Sequence, residues 1–88
     1  MSKFKRSTLH FFEALEKEVT RMEKTNPEDA LVLKRILSLQ YQSLEFALKH
    51  ILEELEYRPF LTISPQTMLL AEVAIQHAKV WPPEGNYR

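Results

Sequence analysis

Glycine is almost absent from this chain, and that scarcity constrains its fold more than any other feature of the sequence. One glycine, Gly85, occurs in 88 residues, and the five prolines stand at positions 27, 59, 65, 82 and 83. Because proline lacks a backbone N–H and disfavours helical geometry at the residue before it, these positions mark where helices begin or end. The stretches between them are long enough for helices, so an all-α fold is predicted.

Residues 7–25 are predicted to form the first helix. Phe12, Leu15, Val19 and Met22 recur at alternating spacings of three and four residues, which places them on one face of a helix. Charged residues occupy the other side, as expected for a helix that has one face in water.

The second predicted helix covers residues 27–56 and is unusually long. Asn26 supplies a capping side chain, Pro27 fits the first helical turn, and two acidic residues follow near the positive end of the helix dipole. No glycine or proline interrupts this helix before Pro59. Because the junction at Asn26 is so short, the first two helices should form an antiparallel hairpin.

Ser64 and Pro65 repeat the cap-plus-proline pattern and open a third helix, predicted to cover residues 64–80. Its polar side is narrow, and large apolar residues spread around the rest. The polar residues are Glu72, Gln76 and Lys79. The chain is therefore expected to be one domain, an up-down-up unit of three helices in which the long second helix is central, with flexible termini at 1–6 and 82–88.

The apolar surface of the second helix exceeds what one chain of this size can bury. One row, which includes Leu33, Tyr41 and Leu48, is assigned to the intramolecular core, and a second row lies on another flank. The helix would measure about 40 Å, against about 30 Å for the diameter of a compact chain of this length. A two-fold, six-helix homodimer is therefore predicted. Its interface residues are Val32, Ile36, Leu39, Phe46, Ala71, Ala74 and Ala78.

An alternative is that the second helix bends or breaks between Ser38 and Ser43 and that the chain closes as a monomer. The additional apolar residues would then be covered by the segment Tyr57–Ile63 and by the C-terminal tail.

Two segments outside the predicted helices carry aromatic and apolar side chains that would suit contact with another protein. Loops are usually polar, whereas the segment Tyr57–Ile63 is apolar, and the tail contains consecutive prolines that favour an extended docking segment. The candidates for partner contact are Tyr57, Arg58, Phe60, Leu61, Trp81 and Tyr87. The alternative for both segments is that they cover the end of the helical bundle.

The balance of charge argues against a general affinity for nucleic acid or anionic lipid. The 12 basic and 12 acidic residues give a formal net charge of zero, so a phosphate contact would need a local patch. Lys3, Lys5 and Arg6 form such a patch and are the candidates for phosphate contact. Nucleic-acid binding is nevertheless the less favoured reading, because no basic recognition helix follows.

No catalytic, cofactor-binding or metal-binding site is expected. The chain has no cysteine, and its single glycine rules out the glycine-rich loops that hold nucleotide phosphates. His50, Glu53 and Glu54 provide a histidine and a carboxylate one helical turn apart, but a closed metal site needs several converging ligands. Neither a signal peptide nor a membrane span is predicted, and a cytoplasmic location is expected.

The sequence therefore favours a small, non-enzymatic, homodimeric protein that binds another protein through its helices. A regulator, an adaptor and an assembly factor all fit this description. One alternative is a nucleic-acid-associated regulator that uses the basic N-terminus. A second is a small-molecule or metal-binding protein, or an enzyme.

Overall fold

The computed structural model of the chain describes residues 3–57 and 63–79. These residues form four α-helices and one short 3-10 helix, with no strand in either range. The helices are α1 (Lys3–Thr25), α2 (Pro27–Leu37), the 3-10 helix (Ser38–Tyr41), α3 (Leu44–Tyr57) and α4 (Pro65–Ala78). The predicted all-α class is confirmed. No helix within the described ranges is long and apolar enough to cross a membrane.

Helix α1 begins earlier than predicted and is the central helix of the fold. It starts at Lys3, and Phe4 is buried, so the prediction of a flexible terminus is wrong for residues 3–6. Phe4 extends the apolar face of Phe11 and Leu15 by two turns, which explains why these residues join the helix. Helix α1 contacts α2, α3 and α4, a role that the sequence had suggested for the second helix.

The predicted continuous helix over residues 27–56 is wrong, because the chain breaks between Leu37 and Leu44. Polar side chains at the break bind backbone groups locally: the Ser38 hydroxyl donates to the Arg35 carbonyl at 2.6 Å, and the Gln40 amide donates to the Leu37 carbonyl at 3.0 Å. Such bonds compete with regular helix and often bend it.

Ser43 then starts helix α3 as a capping residue. Its hydroxyl oxygen accepts a hydrogen bond from the Phe46 N–H at 3.2 Å, and its carbonyl accepts one from the Ala47 N–H at 3.0 Å. The alternative of a break between Ser38 and Ser43 is thus the one observed. Helices α2 and α3 span 11 and 14 residues, or about 17 and 21 Å, so the argument for a dimer from helix length no longer holds.

Helices α1 and α2 form the predicted antiparallel hairpin, joined by Asn26. Lys34 on α2 reaches back to Glu23 on α1, with 3.5 Å between the ammonium nitrogen and the carboxylate oxygen. The Asn26 side chain, however, makes no capping hydrogen bond to α2. The start of α2 is therefore marked by Pro27 at the first helical position and by the acidic first turn, and not by a capping hydrogen bond from Asn26.

Polar contacts near both ends of α4 attach it to α1. The Glu18 carboxylate accepts hydrogen bonds from the Ser64 N–H at 3.0 Å and from the Ser64 hydroxyl at 2.9 Å. Near the other end of α4, the Ser7 hydroxyl and the His77 ring nitrogen Nδ1 are hydrogen-bonded. Helix α4 is therefore antiparallel to α1. The predicted up-down-up order, in which the first and last helices are parallel, is wrong because α3 intervenes as a separate helix.

The core combines large side chains of α1 with smaller contributions from the other helices. Its buried residues include Phe4, Phe11, Phe12 and Leu15 of α1, Leu33 and Leu37 of α2, Ala47, Leu48 and Ile51 of α3, and Ala71 and Ala74 of α4. Ala71 and Ala74 pack inside the chain, so their predicted place in a dimer interface is wrong. Tyr41 was assigned to the core but is 84% exposed, because it lies in the 3-10 helix where the regular helical face is lost.

We expect that Glu18→Ala lowers the free energy of unfolding by about 1–3 kcal/mol, because the substitution removes the acceptor of two Ser64 hydrogen bonds. Glu13→Ala, at an exposed position of the same helix, is the matched control and should change stability by less than about 0.5 kcal/mol. Urea denaturation followed by circular dichroism measures both. Equal stability of the two variants would contradict the anchoring role of Glu18.

We expect that Ala74→Leu destabilises the chain by about 1–3 kcal/mol, because the larger side chain does not fit between α4 and α1. Val73→Leu enlarges the adjacent, exposed position and should have little effect. The same denaturation experiment compares them. If Ala74→Leu were as stable as Val73→Leu, Ala74 would not be buried within the chain.

Candidate protein interaction surface

Helix α4 exposes four large apolar side chains outside the narrow strip of buried residues that packs against the rest of the chain. The exposed fractions are 37% for Met68, 60% for Leu69, 43% for Val73 and 37% for Ile75. No other described helix exposes as many large apolar residues. We call this surface, together with the exposed polar residues interspersed on it, the outer face of α4. Its residues are Met68, Leu69, Glu72, Val73, Ile75, Gln76 and the C-cap Lys79.

The outer face arises because α4 packs against the fold through its small residues. Thr67, Ala71 and Ala74 are buried and follow one another at spacings of four and three residues. Ala78 lies four residues after Ala74 and is half-buried. Small side chains allow the two helix backbones to approach closely. As a result Met68, Leu69, Val73 and Ile75 remain on the outside, whereas Leu70 is half-buried against the core.

The anchor between Glu18 and Ser64 determines which side of α4 faces outward. The Ser64 hydroxyl also accepts a hydrogen bond from the Thr67 N–H at 3.3 Å, which is the predicted N-cap of this helix. The Arg21 guanidinium lies 3.2 Å from the Glu18 carboxylate and remains mostly exposed. Sequence reasoning missed Glu18, since a glutamate in line with buried residues looks like any other charged position on a helix.

The predicted interface on the second helix is divided between core and surface. Ile36 and Leu39 are half-buried and pack against the chain's own core, and Val32 is also half-buried. Phe46 remains 47% exposed on α3. These residues therefore offer less free apolar surface than the outer face of α4 does.

The histidine that suggested a metal ligand is occupied by surface contacts. The His50 ring meets the Phe46 ring edge-on at 4.3 Å between centroids, and its Nδ1 lies 3.4 Å from a Glu53 carboxylate oxygen. Glu54 lies on the same helix. In the part of the chain that the structure describes, no group of three or more histidine, aspartate or glutamate side chains is placed to hold a metal ion.

Ser7 and His77 have the composition of a nucleophile and its base, and they form a hydrogen bond between two helices. Both side chains are half-buried between α1 and α4, where their hydrogen bond links the two helices. Among the described residues no carboxylate pairs with His77, so the third member of a catalytic triad is not assembled there.

The remaining predicted contact residues are dispersed. Tyr57 is 80% exposed at the end of α3, and Lys3, Lys5 and Arg6 are exposed in the first turns of α1. Arg58, Phe60, Leu61, Trp81 and Tyr87 lie outside the described residues.

Two of the grooves on the described part of the surface are open and lined by charged residues. One, of about 410 Å³, lies where α1 meets the end of α2 and the 3-10 helix, and its Glu23 and Lys34 form an ion pair with each other. The second, of about 340 Å³, lies between α1 and the start of α4, where Glu18 is already bound to Ser64. Ligand sites usually enclose most of a small molecule within an apolar pocket, which neither groove does.

Comparison with known proteins adds no relative from which a function could be transferred. The chain matches no protein-family profile, no curated protein and no solved structure. The feature of the chain's own geometry which most needs an explanation is the outer face of α4.

Proposed function

We propose that this chain is a non-enzymatic protein–protein interaction module that presents the outer face of α4 to a partner. A small regulator, an adaptor or an assembly factor would work in this way. The observation that carries the proposal is that α4 buries alanines and exposes Met68, Leu69, Val73 and Ile75. Several large apolar side chains exposed on one helix of a small domain are a recognised mark of an interaction site.

The energetics of burial support this reading. A large apolar side chain contributes about 1.5–3 kcal/mol when it passes from full exposure to full burial. Leu69 and Val73 are the more exposed side chains of the outer face and have the most to gain. Several such contributions can offset part of the cost of bringing two proteins together, which is large for any association. A partner would also add burial that a chain of this size cannot supply alone.

Self-association belongs to this proposal as one form of interaction. Of the seven predicted interface residues, Phe46 is exposed, and Val32, Ile36, Leu39 and Ala78 are half-buried, so these five are at least partly accessible to a second copy. Ala71 and Ala74 are not, because they contact the rest of their own chain. The surface proposed here therefore shifts from the second predicted helix to α4.

We expect that the double variant Leu69→Glu, Val73→Glu loses the proteins that the wild type binds in an extract of its native source, by at least about tenfold, because two charges would have to be desolvated at the contact. Quantitative mass spectrometry after cross-linking and affinity capture measures the loss. Both positions are exposed, so helix content should not change.

The control for that experiment is Asn26→Asp, Gln42→Glu, which adds the same two negative charges at exposed positions away from α4. It should retain the partners of the wild type. If the α4 variant, the control and the wild type captured the same proteins in the same amounts, the outer face of α4 would not be the contact surface.

A further inference from the structure

We propose that the edge of the outer face that carries Glu72, Ile75 and Lys79 docks against the same edge of a second copy of this chain, with the two α4 helices antiparallel about a two-fold axis near Ile75. This inference rests on the proposed function and names one partner for it. The arrangement of charge on the outer face carries the inference.

Met68, Glu72, Ile75 and Lys79 follow one another along the outer face at spacings of four, three and four residues, which is a single row on a helix. Glu72 and Lys79 are both exposed, and Ile75 lies about midway between them. From the start of the helix towards its end, this row therefore contains an acidic residue, then an apolar residue and then a basic residue.

Such a row is complementary to itself only when one copy is reversed. In an antiparallel pair whose axis passes near Ile75, Glu72 of each copy lies beside Lys79 of the other, and the two Ile75 side chains meet close to the axis. A parallel pair in register would instead place Glu72 against Glu72, and like charges at an interface are unfavourable. The two charges thus favour a second copy as the partner and an antiparallel orientation of the two α4 helices.

Neither charge has an ion-pair partner among residues 3–57 and 63–79. Glu72 and Lys79 are seven residues apart, about 10 Å along the helix, which is too far for them to pair with each other. A second copy would supply both missing partners at once and would form two equivalent ion pairs.

The area of the contact sets how strong the association can be. A helix of 14 residues is about 21 Å long and about 10 Å wide, so a pair of such faces buries much less than the roughly 1,200 Å² typical of stable interfaces. The dimer should accordingly be weak and concentration-dependent. Its two ion pairs are exposed to solvent at the edge of the contact, so added salt should weaken it further.

The test is sedimentation analysis of the purified full chain at low salt, over concentrations from about 10 μM to about 1 mM, the range in which weak association is measured. The wild-type mass should rise from 10.4 kDa towards twice that value. Glu72→Lys and Lys79→Glu should each abolish the rise, because each places like charges opposite one another. Glu13→Lys, an exposed change on α1, should leave the rise intact.

Restoration makes the test specific. An equimolar mixture of the Glu72→Lys and Lys79→Glu chains should associate again, and so should the chain that carries both substitutions, since each combination places opposite charges together. A wild type that stays at 10.4 kDa over the whole range would overturn the inference. So would single variants that associate like the wild type, or a mixture that stays monomeric.

The outcomes also separate this inference from the proposed function. If the purified chain is monomeric while capture from the native extract still depends on Leu69 and Val73, self-docking is wrong and the interaction function stands. If the charge exchange behaves as expected while capture of other proteins is insensitive to those residues, the second copy is the partner and binding of other proteins through α4 is wrong.

Discussion

The hydrogen bonds between Glu18 and Ser64 are the contact on which the arrangement of α4 depends. A buried carboxylate is costly unless it is paired, and the start of a helix offers unpaired N–H groups together with a favourable dipole. The contact pairs the Glu18 carboxylate with the Ser64 N–H and brings the first turn of α4 onto the C-terminal half of α1. The link between Ser7 and His77 then aligns the rest of α4 along α1, so the helix has little freedom to rotate about its own axis.

That alignment explains why a chain with ample apolar surface leaves part of it in water. With its rotation set by Glu18, α4 turns Ala71 and Ala74 towards α1 and Leu69 and Val73 away from it. A rotation of the helix would bury the larger side chains but would separate the carboxylate from its donors. The outer face is therefore a consequence of a polar contact on the other side of the helix, and it remains available to a partner.

The break between α2 and α3 has the second largest effect on the architecture. It allows α3 to return Leu48 and Ile51 to a core that α1 already dominates, instead of projecting them beyond the domain on a longer helix. The cost is a short stretch of irregular hydrogen bonding, which Ser38, Gln40 and Ser43 reduce by binding backbone groups themselves. A chain of this size gains more from the added burial than it loses from one interrupted helix.

The sequence by itself determined the helical class, the junctions at Pro27 and at Ser64, and the burial of residues such as Leu15 and Leu33, because caps, prolines and periodicity act within a few neighbouring positions. The tertiary structure decided the rest. Nothing near Glu18 in the sequence indicates that its partner is 46 residues away, and nothing within α4 tells which of its apolar sides packs inward. Both depend on contacts between distant helices, and those contacts exist only once the helices have assembled.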